Sequence, residues 1–233
     1  MAFGENRVTT RDFEGVGSNA VVRNRVLRNT YWLLAISMIP TVLGAWIGVS
    51  TGFSLMAGNP FMGLILFLAI AFGFFFGINR FRNSPLGVVL LLGFTFFMGL
   101  MLSRLLGQVL GHSNGASLIM TAFGGTAGIF AVMASIATVT KRDFSGLGKW
   151  LSVGVLVVLV AMIANMWLQL PALMLTLSVL VIAIFSAFLL YDVQRVVNGG
   201  ETNYVTATLA IYLSIYNIFA NLLMLLGIFG GDD

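Results

Sequence analysis

Apolar runs of about twenty residues recur along this chain with only short polar breaks between them, and that spacing restricts the fold more than any other feature. A helix needs ~20 mostly apolar residues to cross the hydrocarbon of a bilayer. Seven such spans are expected, at 31–49, 61–78, 86–102, 118–138, 150–168, 172–197 and 204–229. Asn79, Arg80, Phe81, Arg82, Asn83, Ser84 and Pro85 close the second run, and Arg104 and His112 lie in the polar stretch 103–117 after the third. Lys141, Arg142, Asp143 and Lys149 mark the fourth break, Pro171 the fifth, and the stretch 198–203 the sixth. Only 9% of the residues are charged and 59% are hydrophobic, whereas a soluble chain carries roughly a quarter charged. The expected class is an all-α integral membrane protein with seven transmembrane helices. Residues 1–29 read as a polar cytoplasmic tail, made flexible by Gly15, Gly17, Ser18 and Asn19, and residues 30–233 as the transmembrane domain. The last run carries many polar groups, so six spans followed by a re-entrant segment is the alternative.

The basic balance follows from topology rather than from nucleic acid. Lys and Arg sit at the ends of apolar runs, not in a stripe interleaved with aromatics. With the N-terminus inside, eleven of the twelve Lys and Arg fall on the cytoplasmic side and only Arg104 falls outside. The opposite orientation reverses that ratio, against the positive-inside rule. An odd number of spans then places the C-terminus outside. The tail residues Arg7, Arg11 and Arg23 form a candidate docking segment for a cytoplasmic partner, with lipid anchoring and topology as the plainer reading. There is no cysteine and a single histidine, His112, so no usual zinc site is expected. No G-x-S-x-G and no phosphate-binding glycine loop occurs. Neither enzymatic chemistry nor a cofactor is expected. Gly44 and Gly48, Gly73 and Gly77, and Gly124 and Gly128 are four apart, a spacing read as close packing within the chain.

Asp192 is the most informative residue. It follows a long apolar run and sits about a turn or more inside the expected boundary. A carboxylate there needs a partner, a proton or a water-filled path. It is either a helix-end acid paired with Arg195 or a proton or cation site in a cytoplasm-facing cavity. In the last run Ala210, Ser214, Asn217 and Asn221 share one face at helical spacing, flanked by Tyr212 and Tyr216. Such groups face protein or water rather than lipid, so this helix is expected to be enclosed. Its polar face either bonds neighbouring helices or lines a path. Arg80 and Arg82 end the second span as topology anchors or as partners for Asp192. Asn165 and Gln169 read as helix-end hydrogen bonders.

Leu190-Tyr191-Asp192-Val193-Gln194 resembles the end of the sixth helix in the Bax inhibitor-1 family, and the nine residues from Ile211 to Phe219 resemble its seventh-helix signature. The stretches VLRNTYWLL from Val26, FGGTAG from Phe123, ANMWLQLPAL from Ala164 and NGGETNY from Asn198 resemble the bacterial YccA branch of that family. The resemblance implies six helices in two layers around a central seventh, in the bacterial inner membrane. It also implies two rival functions. One is modulation of FtsH, a membrane-anchored ATP-dependent protease, and of its membrane-bound partners, engaged through the tail. The other is the pH-sensitive calcium or cation leak of YetJ-like members, where an acid on helix six pairs with an acid on helix seven and an arginine ending helix two latches the closed state. Asp192 matches the first acid, Ser214 stands at the second, and Arg80 or Arg82 matches the arginine approximately. Two close carboxylates resist joint ionisation. A serine adds no like charge, which weakens the leak reading.

Overall fold

The computed structural model describes residues 10–55, 57–140 and 142–230, with side chains from Arg23 onward. Among the described residues there are seven helices: α1 (Thr10–Thr51), α2 (Pro60–Phe81), α3 (Pro85–Leu110), α4 (Gly115–Val139), α5 (Leu147–Leu168), α6 (Pro171–Val197) and α7 (Tyr204–Phe229). Each contains a stretch long and apolar enough to cross a membrane; in α1 that stretch is Arg23–Thr51. The re-entrant alternative is not realised, because α7 continues unbroken from Tyr204 to Phe229.

Two boundaries differ from the sequence reading. The backbone is helical from Thr10, across Gly15, Gly17 and Ser18. These are poor helix formers, but extending an existing helix adds one hydrogen bond per residue and avoids the cost of nucleation. Helix α3 also continues eight residues past the expected end at Leu102, so Arg104 lies on a helix rather than in a loop. Ser103 is small enough to be buried there.

Local chemistry sets the remaining ends. Pro60, Pro85 and Pro171 each occupy a first helical turn, where the missing N–H costs nothing. The Asn59 side chain accepts from the amides of Phe61 and Met62 and caps α2. Helix α5 stops at Gln169 in the left-handed region (φ 50°), and Asn165 Oδ1 accepts from the Leu170 amide.

The surface is inverted relative to a soluble domain. Trp32, Trp46, Phe76, Val139, Trp150 and Trp167 all stand exposed. Trp150 and Trp167 are seventeen residues apart on α5, about 25 Å along a helix, as aromatic residues at the two faces of a bilayer should be. The main core gathers Ile78, Leu91, Phe94, Leu189, Val193, Val205, Ile211 and Ile218. Helix α7 packs against α6, α4, α1, α3 and α2, whereas α5 packs closely on α6 alone.

Helices α1 and α3 form the most extensive pair. A Cβ on Gly44 would strike the Phe96 carbonyl oxygen, one on Gly48 the Ser103 side chain, and one on Gly99 the Thr41 carbonyl oxygen. Lipid offers no hydrophobic drive for pairing, so close backbone approach supplies the attraction. The expected glycine packing therefore holds for Gly44 and Gly48. It does not hold for Gly73, Gly124 and Gly128, which face open space, and Gly77 meets only the Leu90 side chain, at 3.2 Å.

Candidate functional site in the last two helices

The cluster begins where α6 ends. Gly199, at φ 77°, permits the tight turn that follows. The amides of Gly200 and Glu201 both donate to the Arg195 carbonyl at 2.8 and 3.1 Å. This turn folds Glu201 back, and its carboxylate pairs with the Arg195 guanidinium at 3.2 Å. Arg195 is thus engaged by Glu201, not bridged to Asp192 as the helix-end reading supposed. Asp192 is partly buried on α6, accepts no hydrogen bond and joins no ion pair among the described residues. Among the described residues, Arg195 and Glu201 bring opposite charges near it.

Two side chains, one on α6 and one in the α6–α7 connection, tie loops together, and the sequence reading missed both roles. Gln194, buried on α6, donates from Nε2 to the Arg142 carbonyl at 2.7 Å, and its Oε1 accepts from the Phe144 amide at 2.8 Å. One side chain thus docks the α4–α5 connection onto α6. Asn203 caps α7 by accepting from the amides of Val205 and Thr206, and donates to the Arg82 carbonyl and to Asn83 Oδ1. Beside Gln194 a cleft of ≈ 340 Å³ opens, lined by Asp143, Ser145, Tyr191, Arg195 and Asn198. The Ser145 amide and hydroxyl both donate to the Asp143 carboxylate and hold it below the usual carboxylate range.

Farther along α7 the polar face divides by role. Tyr212 is buried, meets the Thr41 hydroxyl at 2.9 Å and donates to the Thr95 carbonyl at 3.4 Å. Tyr216 donates to the Met98 carbonyl at 3.2 Å. The tyrosines thereby join α7 to α1 and α3, and their rings lie 6.1 Å apart. Thr208 adds a contact to the Thr30 carbonyl at 3.3 Å. The amides of Asn217 and Asn221 instead donate back to the carbonyls of Leu213 and Asn217, within α7 itself. Such bonds satisfy the donors without crossing to another helix. Ser214 is 2% exposed and makes no hydrogen bond with Asp192.

Arg80 and Arg82 stand exposed at the end of α2, and neither pairs with Asp192. Arg23 is exposed at the start of the apolar part of α1; Arg7 lies outside the described residues, as does the side chain of Arg11. No group of three His, Asp or Glu side chains converges among the described residues. The contacts of Gln194 and Asn203 bring the α2–α3, α4–α5 and α6–α7 connections to one end of the bundle. Val26 packs there too, against Val196 and Ala207. Asn114 marks the opposite end by donating to the Gly230 carbonyl at 2.6 Å.

Seven apolar helices, with a polyphenolic seam on the last and a lone acid near the end of the sixth, define a multi-pass membrane protein with a polar interior along α7. Comparison narrows the class. The model of the family described as inhibitor of apoptosis-promoting Bax1 matches residues 23–231, and the chain belongs to that family. It is 38% identical over 209 residues to the modulator of FtsH protease YccA of Escherichia coli K12, covering 90% of this chain and 92% of that one. The identity and coverage are the same for the inner membrane protein YccA of E. coli strain CFT073. A protein of Pseudomonas aeruginosa is 39% identical over 208 residues, covering 89% of this chain and 91% of its own. The chain is a protein of the bacterial inner membrane.

Proposed function

We propose that this protein modulates the FtsH protease from within the inner membrane, with its N-terminus in the cytoplasm, its C-terminus outside and α7 enclosed by two layers of three helices. The similarity to a named FtsH modulator over nine-tenths of both chains carries the reading. The structure supports it physically. Close α1–α3 contact, interhelical tyrosine bonds and the Gln194 and Asn203 ties all resist extraction of single helices. A bundle that resists extraction would occupy a membrane protease and slow its work on other clients. The gathering of the α2–α3, α4–α5 and α6–α7 connections at one end supports a cytoplasmic placement of that end. Residues before Arg23 supply the segment the protease engages. The test is affinity purification from native membranes, with the half-life of an FtsH client measured in parallel. The full chain should retain FtsH and lengthen the client's half-life, and a chain starting at Arg23 should do neither. Equal association and equal half-life with the truncated chain would remove the tail from the mechanism; absence of FtsH with the full chain would overturn the function.

Asp192 favours a second reading, a cation or proton leak, because a partly buried carboxylate without a hydrogen-bond donor is available to an ion. Liposome flux should fall in Asp192→Asn and gain pH dependence in Ser214→Asp, which restores a second acid. Unchanged flux in both variants at every pH would discard it.

A further inference from the structure

We propose that a groove bordered by α2, α3, α5 and α7 holds one acyl chain of a glycerophospholipid whose phosphodiester is bound by Arg104. The groove has a volume of ≈ 530 Å³ and includes Phe67, Phe75, Phe94, Met98, Leu159 and Tyr216 among its walls. It exists because α2 and α5 do not pack closely on each other; the rings of Phe61 and Trp167, 6.2 Å apart, bridge them at one end. On α2 the walls run from Leu64 to Phe75, about 16 Å of helix. That is the depth of one leaflet, half of a ~30 Å hydrocarbon layer. The lining is almost wholly apolar, so a hydrocarbon chain fits it better than water does.

Arg104 selects the headgroup. It lines the same groove, six residues before α3 ends, about 9 Å inside that end. It is exposed and joins no hydrogen bond or ion pair among the described residues. A guanidinium at that depth is costly unless it reaches the interface or meets an anion. The long side chain can extend from there toward the interface, where a lipid phosphodiester matches its planar fork bidentately. One ligand thereby satisfies both the unpaired cation and the apolar crevice. The proposal needs only a membrane-spanning bundle and is independent of FtsH binding and ion flux.

The test uses the full chain in vesicles of phosphatidylethanolamine and phosphatidylglycerol, with a trace of phosphatidylglycerol bearing an acyl-chain diazirine. Light-induced adducts are mapped by peptide mass spectrometry. Label should concentrate on the groove peptides carrying Leu68 and Leu159, above the exposed α4 peptide carrying Phe123. Arg104→Gln should lower groove labelling about fivefold, as expected for the loss of one charge-assisted pair, and Arg104→Lys should retain part of it. Leu159→Trp should block labelling while leaving Arg104 in place, which separates occupancy from a folding defect. Even labelling of groove and α4, or no effect of either Arg104→Gln or Leu159→Trp, would overturn the proposal. So would equal labelling by a diacylglycerol diazirine, which has no phosphate. Displacement by millimolar inorganic phosphate would make Arg104 a free-anion site and overturn it likewise.

Discussion

Gln194 uses both ends of its amide on a loop some fifty residues earlier in the chain, donating to Arg142 and accepting from Phe144. Replacing it with leucine removes both bonds and leaves two backbone groups beside an apolar side chain. The expected loss is about 1–3 kcal/mol. It should appear as a lower thermal midpoint in detergent and faster amide exchange at Phe144. Gln194→Glu keeps the acceptor but not the donor, and should fall between the two; unchanged exchange at Phe144 in the leucine variant would count against the docking role. Asp192, two residues earlier, was conspicuous in the sequence because a charge after a long apolar run is costly. Gln194 gave no comparable signal, since an uncharged amide at a helix end is ordinary and its partners are remote. Arg195 was legible as a cation but not its partner: the turn at Gly199 brings Glu201 to it and leaves Asp192 outside the pair.

Among the elements, the α1–α3 pair carries the clearest energetic consequence. Gly99→Ala would drive a methyl group onto the Thr41 carbonyl oxygen, a backbone atom that cannot rotate away. Overpacking of this kind costs about 1–3 kcal/mol, more than alanine's gain of up to ~1 kcal/mol in helix propensity. Thermal unfolding of Gly99→Ala should therefore show a net loss. Gly124→Ala and Gly128→Ala meet open space and should be neutral or slightly stabilising. Equal midpoints for all three variants would refute the seam. The small-residue pattern of Gly44 and Gly48 was readable, and its counterpart on α3, Thr95, Gly99 and Ser103, has the same four-residue spacing. Spacing could not tell these from Gly124 and Gly128, because identical periodicity serves a packed face and a lipid-facing one. Helix α7 offers the same lesson. Its polar face was legible, but the bonds that cross to other helices come from Tyr212, Tyr216 and Thr208, while Asn217 and Asn221 bond within their own helix.

For the molecule as a whole, the cationic connections meet at one end. With that end cytoplasmic, alkaline phosphatase fused after the last residue should be active and the same enzyme inserted between α2 and α3 should be inactive; the opposite pattern would invert the topology. The seven apolar runs and the family were already legible in the sequence, because the bilayer sets one length scale that every run must match and because the motifs of the last two helices are local; that the last run is one unbroken helix rather than a re-entrant segment was decided by the structure. That the breaks carrying Arg82, Arg142 and Arg195 fall at one end was also readable, since odd and even breaks alternate sides. The tertiary structure alone decided which helices touch, which glycines lie in a seam, which polar groups cross between helices, and that α2 and α5 part to leave a crevice beside Arg104. Hydropathy records only a segment's preference for lipid over water. Neighbour choice depends on side-chain shape and on hydrogen bonds between residues far apart in the chain, and those are fixed only when the helices pack.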